Sequence, residues 1–267
     1  HRGIDIEGLL LNSRMVNAIF DDDNSYTRDM WKYPDTGKWD PERNTDEFIS
    51  MFSEYKKYGL MAVTVNLQGG APSGYYRLNQ FREFMKESGI TAKDSEIWKG
   101  LPSPESQPWD SSGFKPNGTL KPEYTDRLGK IIQKTDELSM VVILGLFYFG
   151  QDERISNEQS IIEAVENTCK WILSEGYENV VIEINNECNV PRYEHEILQP
   201  QRVNELIELA KSISKNGNGL LVGTSYGGNA IPGNNIVKSS DFVLIHGNGV
   251  TNPERISRMV RETRNLR

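Results

Sequence analysis

Two carboxylates, Glu183 and Glu187, stand four residues apart with Asn185 and Asn186 between them. They close the run Asn179-Val180-Val181-Ile182-Glu183-Ile184-Asn185-Asn186-Glu187. An acid set at the end of an apolar segment, beside two amides, is suited to general acid–base chemistry, because a positioned carboxyl can both give and take a proton. The run is short and β-branched, and Gly176 and Tyr177 close a helical pattern just before it, so it reads as a buried strand. Alternation along a strand predicts Glu183, Asn185 and Glu187 on one face, with Ile182, Ile184 and Asn186 on the other. Burial at that strand end predicts a raised pKa for Glu187, which keeps the acid protonated near neutral pH. The competing reading is a strand end whose polar residues only cap the following loop.

Acids at strand ends need strands to carry them. Asn44-Thr45-Asp46-Glu47 predicts a helix cap, followed by Phe48, Met51, Phe52 and Tyr55 at helical spacing until Gly59. Residues 60–67 predict a strand and 121–139 an amphipathic helix. Residues 140–149 predict a strand apolar on both faces, as parallel sheets require. A helix over 157–175 precedes the Glu183–Glu187 strand. After it come a helix over 200–215, strands over 220–224 and 242–246, and a helix over 253–264. With a first strand somewhere in 4–20, about six strands alternate with helices, which argues for βαβ units and a parallel sheet. Segment 71–109 interrupts this order with Gly74-Tyr75-Tyr76, a helical piece over 78–88 and Pro102, Pro104 and Pro108. It follows the second strand, so it is either a ligand-shaping lid using Tyr75, Tyr76, Trp98 or Trp109, or a variable surface insertion.

Glu183-Ile184-Asn185-Asn186-Glu187 resembles the fourth-strand signature of clan A glycoside hydrolases, the (β/α)8 cellulase and mannanase superfamily. The resemblance implies Glu187 as acid/base, Asn186 as the amide on the sugar 2-hydroxyl and Glu183 as a buried structural carboxylate. Cys188 stands where the family usually has Pro. Gly145-Leu146-Phe147-Tyr148-Phe149 lacks the third-strand His that many members carry. Segments 33–48, 65–70, 142–152, 184–188, 222–228 and 244–249 also resemble a group of bacterial proteins classed as glycoside hydrolases of undefined substrate. The implied fold is a single α/β domain over 1–267 of the (β/α)8 TIM-barrel type, truncated after about six βα units. The family's nucleophilic Glu ends the seventh strand, so the expectation is either that C-terminal strands beyond this sequence hold it or that the barrel is divergent and uses a different second carboxylate.

The implied function is a retaining glycoside hydrolase acting on β-linked glycans. Its oxocarbenium-like transition state needs one carboxyl to protonate the leaving oxygen and one carboxylate opposite, about 5 Å away in retaining enzymes. Sugar contacts are expected from the strand ends, where barrel pockets form. These are Asn66 and Gln68, then Phe147, Tyr148 and Gln151, then Ser225 and Tyr226, then His246 and Asn248. His246 matches a family position that often lines the sugar site. A non-catalytic glycan-binding or structural barrel is the opposing expectation.

Charge and composition agree with an oligo- or polysaccharide partner. A net charge of −8 argues against a nucleic-acid backbone. No apolar stretch approaches the roughly 20 residues of a membrane span. The chain starts at His1 without an initiator Met, which fits a signal peptide removed or left out, and a secreted or periplasmic location is expected, with a cytoplasmic one as the alternative. Cys169 sits in a helical pattern and Cys188 beside the acid, which indicates no disulfide framework. No metal or cofactor is expected. Asp21-Asp22-Asp23-Asn24 lacks the spacing of a calcium loop and reads as a solvated acidic turn. Gly69-Gly70 and Gly227-Gly228 lack the spacing of a phosphate loop. Gly223-Thr224-Ser225-Tyr226-Gly227 spells a nucleophile elbow, with Asp241 and His246 following in triad order, but no Gly-rich oxyanion loop accompanies it.

Overall fold

The computed structural model describes residues 10–70, 87, 107 and 109–266. Tyr75, Tyr76 and Trp98 of the expected lid lie outside this set, as does most of the 71–109 insertion. Strands β1 (Asn12–Arg14), β2 (Ala62–Asn66), β3 (Val141–Phe147), β4 (Val180–Asn185) and β5 (Val222–Gly223) form one sheet in chain order, with every pairing parallel. Thr224 then breaks the strand, and its second half, β6 (Ser225–Tyr226), pairs in parallel with β7 (Leu244–Ile245). Sequential neighbours of this kind are the order of a (β/α) barrel, whereas a doubly wound sheet reverses its order partway.

Strands β2 to β5 are almost wholly buried on both faces, which is why their central residues are mostly apolar, while β1, Asn-Ser-Arg, is half-buried at the edge. Val63, Val65, Val142, Leu144, Ile182, Ile184 and Val222 point outward into one large core. There they meet helices α3 (Pro122–Glu137), α4 (Glu158–Glu175) and α5 (Val203–Ser212), through residues such as Leu128, Ile132, Val165, Ile172 and Ile207. Alternate residues Ala62, Val141 and Ile143 face the other way and form a smaller cluster with Leu10, Val181 and Leu244. Leu10 precedes the first strand and Leu244 belongs to the last. Their meeting on one cluster requires the sheet to curl around it, as a barrel wall does.

Several element boundaries differ from the sequence expectation. The first helix starts at Pro41, because the Asp40 side chain caps the Arg43 amide at 3.0 Å and Pro41 occupies the first turn. It divides at Met51 into α1 (Pro41–Ser50) and α2 (Phe52–Lys57). Helix α4 is capped by Asn157 and stopped by left-handed Gly176, as the sequence suggests. A short hairpin, Ser214–Lys215 with Asn218–Gly219, turns through Asn216 and Gly217 at φ 54° and 82°. Helix α6 (Asn234–Ser239) was not anticipated, and α7 (Pro253–Arg264) matches its expected range.

The acidic turn is only partly solvated: Asp23 is exposed, but Asp21 and Asp22 are buried. Asp22 is fully buried and accepts from Thr27 Oγ1 at 2.6 Å, Trp31 Nε1 at 2.7 Å and the amides of Asn24 and Asp110 at 2.9 Å. Burial pushes its pKa up, and the four donors pull against that. Trp109 belongs to the same knot, edge-on to Trp31 with centroids 5.6 Å apart. Among the described residues, no group of three side chains is arranged to hold a metal, and no helix is long and apolar enough to cross a membrane. Cys169 and Cys188 are buried free thiols.

Candidate active site

The end of β4 is fixed from both neighbouring strands. Register places Asn66, Gly145, Glu183 and Gly223 side by side across β2, β3, β4 and β5. Glu183 is fully buried, and an unpaired charge there would be strongly unfavourable. Arg14 of β1 answers it, reaching across β2 and β3 to place Nη1 3.2 Å from Glu183 Oε2. The same guanidinium donates through Nη2 to Asn186 Oδ1. The second oxygen of Glu183 accepts a short hydrogen bond from Ser225 Oγ.

Beyond Asn185 the chain leaves the strand. Asn186 N donates to Phe147 O at 3.0 Å, Cys188 N to Ser225 O at 2.9 Å and Tyr193 Oη to Asn186 O at 2.5 Å. Between them Glu187 takes a left-handed backbone, φ 51°, which side chains other than glycine rarely adopt. This residue ends the alternation that the sequence predicts. Arg14 touches both Glu183 and Asn186, so Asn186 shares Glu183's side rather than the opposite one.

The Glu187 carboxyl is 8 % exposed and lies against His246, with Oε1 2.8 Å from Nδ1. Its other flank rests on Gly227, where an added Cβ would fall 2.6 Å from Cδ. Gly227→Ala is therefore expected to destabilise the fold by about 1–3 kcal/mol, the usual effect of overpacking. Urea denaturation checks this, and an unchanged midpoint would show that the carboxyl packs elsewhere. Burial pushes the Glu187 pKa up. The hydrogen bond and charge of His246, the Asn248 side chain and the charge of Arg14 outweigh it, so the carboxyl sits below its ordinary 4.5. The raised value expected from sequence is corrected by partners that only the fold brings together.

The strand-end residues divide into two groups. Glu187, Asn186, His246 and Asn248 converge, with Asn248 Oδ1 also taking the Gly228 amide at 3.3 Å. Asn66 lies under them in register with Glu183. Its amide fills the space left by the missing Cβ of Gly145, and neither amide atom has a hydrogen-bond partner among the described residues. The rest serve the wall. Gln68 bonds Ser112 Oγ and Gln151 O, both at 3.0 Å. Gln151 bonds the Ser111 amide at 2.9 Å and Trp109 O at 2.8 Å. Phe147 stacks on Phe114, and Tyr148 packs tilted against Phe149. Tyr226 is buried against Cys188 and Gly233.

Ser225 hydrogen-bonds within the protein on both sides, to Glu183 Oε1 and the Glu187 amide, and α6 starts only at Asn234, so no nucleophile elbow forms. Arg14 was missed from sequence. Its signal was a lone cation in the apolar-flanked segment that became β1.

No protein-family model matches the chain, and no curated protein matches it in sequence. Solved chains that superpose on it are members of glycoside hydrolase family 5, within clan A. A broad-specificity endoglucanase from an uncultured bovine rumen ciliate is 12% identical with a TM-score of 0.46, over 88% of this chain and 57% of its own. A family 5 enzyme from Prevotella bryantii is 10% identical with a TM-score of 0.46, over 91% and 60%. A lichenase from a Caldicellulosiruptor species is 11% identical with a TM-score of 0.41, over 92% and 58%. The chain thus spans 57–60% of the length of these structures. Superposition at this level is silent on chemistry, which must be argued from the site itself.

Proposed function

We propose that this chain carries the acid/base half of a retaining glycoside hydrolase site for β-linked glycans. The observation that supports it is Glu187: a nearly buried carboxyl at the C-terminal end of a barrel strand, where pockets of this fold form, paired to an imidazole and held in an unusual backbone conformation. Glu187 gives a proton to the leaving glycosidic oxygen and later takes one from water. His246, with Nδ1 2.8 Å from Oε1, holds the carboxyl in place for both transfers. Asn186 is held by Arg14 through Oδ1, and its Nδ2 has no partner among the described residues, which suits a donor to a sugar hydroxyl.

The opposing carboxylate is a separate matter. Both Glu183 oxygens are taken, by Arg14 and Ser225, so Glu183 does not serve as nucleophile. In this reading the second carboxylate comes from outside the described residues. The same observation favours a second reading, a glycan-binding barrel without chemistry. Release of nitrophenol from aryl β-glycosides, and of reducing ends from soluble β-glucans and β-mannans, separates the two. Cleavage abolished in Glu187→Gln supports the enzyme, and binding of those glycans without cleavage supports the second reading. Neither cleavage nor binding sinks both.

The His246 pairing also sets a pH dependence. A carboxyl whose pKa is lowered by folding contributes stability above its unfolded value, near 4.5, and loses it as pH falls through the folded value. His246→Gln removes the chief lowering partner and leaves burial. The variant should be less stable than wild type at pH 7, and the gap should shrink as pH falls below 4.5 and through the lowered folded value. A stability gap independent of pH would show that His246 does not govern this carboxyl.

A further inference from the structure

We propose that Ser225 is a positioning residue for Glu187: its hydroxyl, oriented by Glu183, holds the Glu187 backbone in the left-handed conformation that aims the carboxyl at His246. The inference rests on Glu187 being the acid of the proposed function, but its geometry stands apart from any activity.

A left-handed backbone at a residue with a Cβ is unfavourable by about 1–3 kcal/mol and persists only where surroundings impose it. At Glu187 two hydrogen bonds do so. Its N–H donates to Ser225 Oγ at 2.7 Å, and its carbonyl accepts from Val190 N at 2.8 Å. The first depends on which way the Ser225 hydroxyl points, since a hydroxyl has one proton to give and lone pairs to receive. Glu183 settles that direction. As an acceptor at Oε1 it draws the Ser225 proton toward itself, which turns the oxygen lone pair to the Glu187 amide. Arg14 holds the other oxygen of Glu183. Arg14, Glu183, Ser225 and the Glu187 amide thus form one hydrogen-bonded line from β1 to the turn after β4. Ser225 is fully buried, so water does not compete for this hydroxyl. Gly227, two residues on, leaves room for the carboxyl that the turn presents.

The test compares Ser225→Ala and Ser225→Thr with wild type in the full chain, by crystallography and by steady-state kinetics on an aryl β-glycoside. In Ser225→Ala the Glu187 φ should turn negative and the carboxyl should leave His246. Its kcat should fall roughly 10- to 100-fold, the scale of a misplaced catalytic group, while KM changes less than about threefold. Ser225→Thr keeps the hydroxyl, so the left-handed φ and most of kcat should return. Left-handed Glu187 in Ser225→Ala, or equal loss of kcat in both variants, would overturn the inference. If wild type cleaves no glycoside, the proposed function fails and the φ angles alone decide the role of Ser225. If Ser225→Thr does not fold, the φ angle and the kcat–KM split of Ser225→Ala decide it.

Discussion

Glu187→Gln is expected to lower kcat/KM on a β-glycoside by roughly 10²–10⁴-fold, the contribution of a positioned proton donor. The replacement is nearly isosteric, can still meet His246 and leaves the Ser225 bond to the backbone amide in place. The melting temperature at pH 7 should fall only by what the carboxylate charge contributes, the fold should hold, and glycan binding should survive. Activity equal to wild type would remove Glu187 from the chemistry. Loss of folding would instead make it a structural cap of β4.

Glu183→Ala is expected to act on stability. The carboxylate is fully buried and satisfies Arg14 and Ser225 together, so its removal leaves a cavity, a stranded guanidinium and a hydroxyl without its acceptor. Breaking one side of a buried pair destabilises by about 3–5 kcal/mol. Because the Arg14 side chain is 28% exposed and can partly rehydrate, the lower end of that range is the better expectation. Glu183→Gln, which keeps an acceptor for Ser225, should fall between wild type and the alanine variant. Urea unfolding measures all three, and an unaltered midpoint in Glu183→Ala would place this side chain outside the ion pair.

The sheet was legible because its strands are β-branched, short and bounded by helix stops such as Gly59 and Gly176, so local pattern and tertiary burial agree. That Glu187, Asn186, His246 and Asn248 follow strands was also legible, since that placement is a matter of sequence order. The pairing of Arg14 with Glu183 was not. It spans 169 residues of sequence and requires the sheet to bring β1 within reach of β4. The left-handed Glu187 was hidden for a different reason: residue type favours that conformation at glycine, so nothing at position 187 announces it. The direction of its pKa followed, because burial can be guessed from pattern while its counter-charges cannot. Asp22 failed similarly, as a run of acids looks solvated until Trp31 and Thr27 fold over it. The hairpin through Asn216 and Gly217 is encoded in that dipeptide, because both residues tolerate the positive φ that a tight turn requires.

The break at Thr224 gives the site a common mount. Val222–Gly223 belongs to the β4 side of the wall, while Ser225–Tyr226 is joined to β7. That second piece grips Glu187 through the Ser225 hydroxyl and Cys188 through the Ser225 carbonyl. It also receives the His246 amide on the Tyr226 carbonyl at 3.2 Å. Carboxyl and imidazole therefore ride on the same two residues. Asn186 is tied to Phe147 of β3 at the same time, so the pair is pinned where the two halves of the wall meet.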